Sequence, residues 1–199
     1  GGEDEEPTEN PNASKPRYIW IDAAANFPDF ANSKENIARD LALAKDAGFT
    51  DIVVDVRPTT GDVLFKTNHV DQVKFMYAWI GSNYTKVERT ATWDYLQAFV
   101  DEARKQGLRI HAAINTFVGG NQIDGGTGLL YRDQSKAAWA TQMNMQTGIT
   151  SVMNTSESAK FFNPAHPEVQ TFLCNLLEDL ASYDLDGIFL DRGRFLNLQ

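Results

Sequence analysis

The segment DIVVDVR, residues 51–57, carries the clearest signal of the fold in this 199-residue sequence. Its centre is apolar and β-branched, which is typical of a strand covered on both faces in a parallel sheet. Three further segments have the same β-rich character, namely YIWID at 18–22, LRIHAAIN at 108–115 and DGIFLD at 186–191.

Helical patterns separate these four predicted strands. The first helix begins at a cap provided by Asn32 or Ser33, the second spans about residues 92–106, and the third begins at Pro167 and continues to about residue 183. Strands that alternate with helices of this length predict right-handed β–α–β units and a parallel sheet.

Four strands match either half of a (β/α)₈ barrel or a small open α/β sheet, because a complete barrel has eight strands and typically ~250 residues. We favour the barrel: an α/β fold of parallel βα repeats of a TIM (β/α)₈ barrel, with about the first four strands in residues 17–199. Such a half barrel leaves an apolar sheet edge exposed. We therefore expect the C-terminal half of the barrel, or a second chain, as a partner.

Two connections are unusually long. Residues 61–89 follow the second predicted strand and residues 116–162 follow the third. Both leave the carboxyl ends of strands, where parallel α/β folds build their sites, and long loops at that edge are usually functional.

The composition excludes several classes of protein. A net charge of −9 and a pI near 4.8 disfavour nucleic acid as a partner, because phosphate binding needs a basic surface. The three histidines lack a common ligand spacing, so we predict no metal site and no cofactor. Cys174 lies within an apolar helical pattern, so we predict a small core residue and not a nucleophile.

Residues 1–16 are acidic and contain no aromatic or large aliphatic side chain, which predicts a disordered linker. An acidic, proline-bearing tether of this kind resembles the segment that follows the lipidated cysteine of many Gram-negative lipoproteins. On this interpretation the protein is exported and meets a membrane only through a lipid anchor that these residues do not contain. A cytoplasmic protein with a ragged N-terminus is the alternative.

Polar side chains occupy the carboxyl end of every predicted strand. Asp22, Arg57, Asn115 and Asp191 each lie at or beside such an end, so in a parallel barrel they converge on one mouth. Asp191 is the strongest catalytic candidate, because an ionisable residue that closes an apolar strand costs desolvation unless it is paired or used. Cleavage of a glycoside needs two carboxyl groups, and Asp191 can supply one.

The neighbours of Asp191 have alternative roles. Arg192 or Arg194 can hold the carboxylate ionised, or form a purely structural pair with it. We predict a partly buried ion pair between Asp55 and Arg57, with a substrate contact from Arg57 as the alternative.

Other candidates are less specific. Asp62 either binds sugar hydroxyls at the same rim or stabilises a turn. His111 is more consistent with a core histidine, or one that orients a carboxylate, than with a metal ligand. Asn115 either donates to a sugar hydroxyl or stabilises a turn.

Aromatic residues in the two long connections have two interpretations. They are either stacking platforms for sugar rings or side chains that pack the connections onto the barrel: Tyr77, Trp79, Tyr84 and Tyr131. The remaining tryptophans, Trp20, Trp93 and Trp139, are predicted to pack in the core or against helices.

Five blocks of the sequence resemble a known family. They are RYIWIDAAANF, GFTDIVVDVRPTTGDVLF, GLRIHAAINTF, FNPAHPEV and YDLDGIFLDRGRF, between Arg17 and Phe195. In this order they are similar to the blocks of the glycosyl-hydrolase-like family 10 lipoproteins. The resemblance implies a (β/α)₈ barrel, export with lipid anchoring, and action on a glycan, in some relatives a cell-wall polymer or exopolysaccharide that contains amino sugars.

The resemblance also implies roles for individual residues. Asp191 corresponds to the family's strand-four aspartate, and the second catalytic carboxylate is expected on strands five to eight, which the four predicted strands do not include. The family's strand-two arginine corresponds to Arg57, and its strand-three histidine and asparagine correspond to His111 and Asn115. Together with the residues singled out by their position at strand ends, the expected substrate contacts are Asp22, Arg57, Asp62, His111, Asn115, Arg192 and Arg194. The leading hypothesis is therefore a hydrolase of an extracytoplasmic poly- or oligosaccharide. A carbohydrate-binding lipoprotein with a degenerate barrel, and a structural or assembly role, are the alternatives.

Overall fold

A computed structural model describes residues 15–191 of the chain. The strands, numbered along the chain, are β1 (Tyr18–Ile21), β2 (Asp51–Arg57), β3 (Phe75–Ile80), β4 (Asn83–Glu88), β5 (Arg109–Asn115), β6 (Val118–Asn121), β7 (Gln142–Met145), β8 (Gly148–Ser151), β9 (Ala159–Phe161) and β10 (Gly187–Asp191). The α-helices are α1 (Ala23–Phe30), α2 (Lys34–Asp46), α3 (Tyr95–Gln106), α4 (Leu129–Arg132) and α5 (Pro167–Ala181).

The central sheet has four parallel strands in the order β1-β2-β5-β10. These are the four strands predicted from the sequence, and helices connect them. The predicted fold class, a partial α/β barrel, is confirmed. One face of the sheet is covered by the helices and is fully buried at Ile52, Val54, Ile110 and Ala112.

Local chemistry explains where the main helices begin and end. The Ser33 hydroxyl accepts a hydrogen bond from the Asn36 N–H at 3.1 Å and so caps α2. Asp94 caps α3 in the same way, so the helix begins at Tyr95, three residues later than the pattern predicted. Gly107 ends the helix in the left-handed conformation, with φ 69°. Pro167 occupies the first position of α5, where its missing N–H costs nothing.

The sequence patterns missed the elements inside and beside the long connections. Helix α1 follows β1 directly and was not predicted, because it contains Pro28 and is rich in small residues. The connection at 61–89 contains the antiparallel hairpin β3–β4. The connection at 116–162 contains the pair β6–β9 and the hairpin β7–β8.

The concave face of the sheet, on the side opposite the helices, is lined with aromatic rings that remain partly exposed. The Trp20 ring lies 5.5 Å from the Phe189 ring, and Tyr18 contacts both His111 and Phe189. Trp20 is 56% exposed on the side away from the helices, so the prediction that it packs in the core or against helices is wrong for the described residues. Its side chain lies on the inner face of the sheet, and the four described strands do not close around that face.

The prediction for Cys174 is also wrong, because the thiol is exposed. The buried stripe of α5 consists of Val169, Phe172, Leu173, Leu176 and Leu180. Cys174 comes one residue after Leu173, and each residue rotates the side-chain direction by about 100° around the helix axis. The Cys174 side chain therefore lies on the outer face of α5.

Two sequence predictions fall outside the described residues, wholly or almost wholly. These are the linker, of which only residues 15 and 16 are described, and the pair Arg192 and Arg194. Within residues 15–191, no helix is long and apolar enough to cross a membrane.

Candidate active site

A cavity of about 250 Å³ opens at the carboxyl ends of the central strands. Each of the four strands contributes a polar side chain at or beside its end, namely Asp22 after β1, Asp55 on β2, Asn115 on β5 and Asp191 on β10. We call this cavity the mouth pocket. Asp22, Asn115 and Asp191 meet in this pocket, as predicted. Asp55 also lies in the pocket, although it was predicted to form a structural ion pair.

An irregularity in β2 shapes the position of Asp55. The pairing register between β2 and β5 shifts between Asp55 and Arg57, which is a β-bulge. The Arg57 N–H donates at this point to the Asp55 carboxylate at 3.1 Å. The bulge therefore fixes the Asp55 carboxyl group at the wall of the pocket.

The Asp55 carboxyl group has an unusual protonation equilibrium. Burial raises its pKa to about 7, and the nearby carboxylates of Asp22 and Asp191 act in the same direction. The backbone N–H groups of Arg57 and Ala23 oppose the shift without cancelling it. Asp55 is therefore able to hold or release a proton near neutral pH, as acid–base chemistry requires.

Asp22 and Asp191 flank Asp55 in different settings. The Asp22 Oδ1 accepts from the Ala25 N–H at 3.0 Å and caps α1, so this residue has a structural function as well as a place in the pocket. Asp191 is the last residue of β10 and lies opposite Asn115 in the strand register. Its carbonyl accepts from the Thr116 N–H at 3.2 Å, which ties the end of β10 to that of β5.

Arg57 does not form the predicted ion pair with Asp55. Its side chain is fully buried, and the guanidinium donates to the backbone carbonyls of Asn115, Thr116 and Val118. Burial lowers the Arg57 pKa to about 10, which still leaves the group charged at neutral pH. A fully buried side chain cannot contact a substrate, so the predicted substrate contact is wrong as well. Arg57 binds the chain that leaves β5.

Asn115 completes a reciprocal link between the ends of β2 and β5. Its side-chain amide nitrogen donates to the Arg57 backbone carbonyl at 2.9 Å, while the Asn115 backbone carbonyl accepts from the Arg57 guanidinium. The amide group is thus fixed in orientation where it lines the pocket.

Two predicted site residues lie elsewhere. Both oxygens of the buried Asp62 carboxylate accept from Arg132, at 2.9 and 2.8 Å, and Asp62 does not line the mouth pocket. His111 is buried near the amino-terminal ends of the strands, where its Nε2 lies 2.7 Å from the Asp51 Oδ2. This is the carboxylate-orienting histidine that the sequence allowed, at the opposite end of the sheet from the pocket.

Burial alone would raise the Asp51 pKa, but hydrogen bonds from Thr50 and His111, together with the charge of Arg109, outweigh burial and hold it below its usual value. This end of the sheet therefore carries a buried hydrogen-bonded pair of Asp51 and His111, in which His111 Nδ1 has no hydrogen-bond partner among the described residues. Within residues 15–191, no group of three or more histidine, cysteine or acidic side chains is arranged to hold a metal ion.

The aromatic residues of the long connections divide into two sets. Trp79 and Tyr84 are exposed on the β3–β4 hairpin, with Tyr77 half-buried beside them. Tyr131 is half-buried at α4, where its ring fills the space beside Gly126 that a Cβ atom would need. Trp139 is buried and donates to Glu168 at 2.8 Å, as a packing tryptophan should.

The fold and the pocket together define a class of protein, a β/α-barrel segment with an acidic site at the carboxyl ends of its strands. The model of the family described as glycosyl hydrolase-like 10 matches residues 15–196. The chain belongs to this family, which confirms the resemblance seen in the sequence blocks.

The chain also has a relative of known sequence. An S-layer-related protein of Niallia circulans is 31% identical over 192 residues, which is 94% of this chain and 12% of that protein.

Solved structures support the same fold. Alpha-L-fucosidase isoenzyme 2 from Paenibacillus thiaminolyticus superimposes with a TM-score of 0.56 at 18% identity, over 89% of this chain and 23% of the fucosidase. The alpha-galactosidase from Lactobacillus brevis gives a TM-score of 0.55 at 17% identity, over 87% of this chain and 20% of that enzyme. The chain thus spans about a fifth of these enzymes, and the similarity concerns the fold.

Arg57 provides a test of the buried link. Replacement by methionine preserves much of the volume but removes the donor from two buried carbonyls and one partly buried carbonyl, so we expect the free energy of unfolding to fall by about 3 kcal/mol. Urea denaturation measures this change. Arg39→Met, on the exposed face of α2, is the matched control and should change stability by less than about 0.5 kcal/mol. Equal effects of the two substitutions would contradict the conclusion that Arg57 stabilises the chain that leaves β5.

Asp55 provides a test by pH. Its folded pKa of about 7 lies above the ordinary value of 3.8, so its contribution to stability is present in acid and is lost as pH rises through 7. The parent protein should therefore lose stability relative to Asp55→Asn between pH 4 and pH 8. Urea midpoints across this range measure the difference. Asp46→Asn, at an exposed position, is the control. If the parent lost as much stability relative to Asp46→Asn as relative to Asp55→Asn, the result would argue against a special environment at Asp55.

Proposed function

We propose that this chain forms part of the catalytic centre of a glycoside hydrolase that acts on an extracytoplasmic polysaccharide, with Asp191 as one of two catalytic carboxyl groups. The observation that carries the proposal is the mouth pocket, where Asp191 lies with Asp22, Asp55 and Asn115. Membership of a glycosyl hydrolase-like family and the shared fold with two glycosidases support it. A glycan with amino sugars is the substrate class that the family resemblance suggested.

The chemistry of the pocket suits this reaction. Glycoside cleavage requires one carboxyl group to protonate the leaving oxygen and another to attack the anomeric carbon or to activate water. In our proposal Asp191 is one of this pair. Asp55 holds a proton up to about pH 7 and donates it in a hydrogen bond to a sugar hydroxyl, while Asn115 offers an oriented amide group.

The second catalytic carboxyl group, in this proposal, comes from further strands of the barrel. The chain covers only 12% of its S-layer-related relative and 23% of the fucosidase, which supports a larger catalytic unit. The exposed aromatic face of the sheet also supports it, because additional strands would cover Tyr18, Trp20 and Phe189.

The test uses the full-length natural protein that contains this chain. Asp191→Asn should reduce glycan hydrolysis by about 10³-fold, because the amide neither attacks nor exchanges a proton, while the thermal midpoint stays close to that of the parent. Reducing-end release from cell-wall and exopolysaccharide preparations measures turnover. Undiminished turnover would remove Asp191 from the mechanism. Glycan binding without turnover in the parent itself would favour the non-catalytic carbohydrate-binding alternative.

We also propose an extracytoplasmic location, with attachment to the cell envelope through a lipid anchor. The acidic segment at residues 1–16 and the S-layer-related relative support this location. Protease treatment of intact cells or spheroplasts should degrade the protein while cytoplasmic markers survive. Globomycin, which blocks lipoprotein processing, should shift its mass if it is anchored. Full protection from protease would contradict the location, and an unchanged mass would contradict the anchor.

A further inference from the structure

The β3–β4 hairpin presents a continuous strip of aromatic rings. Tyr77 and Tyr84 stack with their centroids 5.3 Å apart, and Trp79 lies 5.1 Å from Tyr84. Trp79 is 68% exposed and Tyr84 57%. Large apolar rings that are exposed together usually mark a binding surface, because water contact with them is unfavourable.

Polar contacts hold this hairpin in place. The Tyr77 hydroxyl donates to the Asp124 Oδ1 at 2.9 Å, and the Lys86 Nζ lies 3.0 Å from the Asp124 Oδ2. Asp124 itself adopts φ 52°, which a non-glycine residue rarely does. At the base of the hairpin, the Asn32 side chain donates to the Glu88 carbonyl and accepts from the Thr90 N–H. The strip is therefore built into the fold.

A second cavity, of about 560 Å³, lies between the hairpin and residues 121–123. It falls within the usual size range of ligand pockets, about 300–1,000 Å³. Ala24, Thr59 and Met76 line both this cavity and the mouth pocket, so the two spaces adjoin.

The lining of the second cavity has a consistent chemistry. It combines the rings of Phe75, Tyr77 and Tyr84 with hydroxyl and amide side chains, and contains no charged side chain. Flat rings pack against the apolar face of a sugar, and hydroxyl and amide groups pair with its hydroxyls. An anionic polymer would need a basic side chain, and the nearby Lys86 is already paired with Asp124.

We propose that the second cavity binds neutral sugar units adjacent to the unit held in the mouth pocket. The ligand is then a neutral linear chain of several sugars that runs from the strand ends across the aromatic strip, and not a single terminal sugar. The identity of the ligand as a carbohydrate rests on the proposed function; the position and length of the site rest on the hairpin and its cavity.

Calorimetric titration tests this site in the full-length protein that carries Asp191→Asn. The probes are cello-oligosaccharides and N-acetylated chito-oligosaccharides of two and six units, with polygalacturonate as an anionic polymer. In at least one neutral series the hexamer should bind more tightly than the dimer. Adding Tyr84→Ala should weaken hexamer binding about tenfold and leave dimer binding unchanged, because only the longer chain reaches the strip. Tyr84→Phe retains the ring and should retain the affinity.

Ile149→Ala is the matched control, because Ile149 is 74% exposed on the β7–β8 hairpin, which carries no aromatic residue. It should leave every affinity unchanged. The proposal is overturned if no neutral probe binds, if polygalacturonate binds in preference, or if Tyr84→Ala and Ile149→Ala have equal effects. Cleavage is measured separately, by mass analysis of the hexamer after incubation with the parent protein, which retains Asp191. A hexamer that binds in a Tyr84-dependent way but stays uncleaved would count against hydrolysis of that glycan and would still support the second cavity.

Discussion

The buried guanidinium of Arg57 is the constraint on which the site depends. A charge in this position has lost its water, so every unpaired donor costs free energy. The two terminal nitrogens donate to backbone carbonyls of the chain that leaves β5, and only Nε has no partner within residues 15–191. The Asn115 amide returns a hydrogen bond to the Arg57 carbonyl. The two central strands are thereby locked together at the end where they deliver polar groups. If Arg57 formed an ion pair with Asp55, its guanidinium would not hold the segment that follows β5 in this position.

The same arrangement leaves Asp55 without a cation in direct contact. Its carboxyl group receives backbone N–H donors, lies near two other carboxylates and is largely shielded from water, so the protonated form is favoured up to about pH 7. The bulge in β2 is the geometric origin of this environment, because it frees the Arg57 N–H from the ladder. Stability of the strand ends and the acid–base character of the pocket thus arise from one local irregularity.

The two exposed aromatic surfaces of the molecule differ in origin. Tyr18, Trp20 and Phe189 line the inner face of a curved sheet, which is the place where a barrel packs its own interior. The rings of the β3–β4 hairpin lie beyond the sheet and are held by the contacts of Asp124 with Tyr77 and Lys86. The first surface suits enclosure by further strands, and the second suits a ligand that reaches the mouth pocket from the side.

The sequence by itself determined the four strands, the three long helices and the family, because these follow from local periodicity, capping residues and short motifs. It also determined that Asp22, Asn115 and Asp191 meet, since carboxyl ends of parallel strands share one edge. It did not identify Asp55 as a pocket residue, although an acid inside an apolar strand was a visible signal. The environment of that carboxyl group depends on a bulge and on neighbours distant in sequence.

Only the tertiary structure decided the roles of Arg57, Asp62 and His111. Each was predicted from its position on or after a strand, but its partner lies 58 to 70 residues away in the chain, and no pattern encodes that distance. The exposure of Trp20 and Cys174 was likewise decided by which faces the four strands and their helices enclose. Hydrophobic patterns indicate that a side chain prefers burial, whereas the packing of the whole fold determines whether a neighbour is present to bury it.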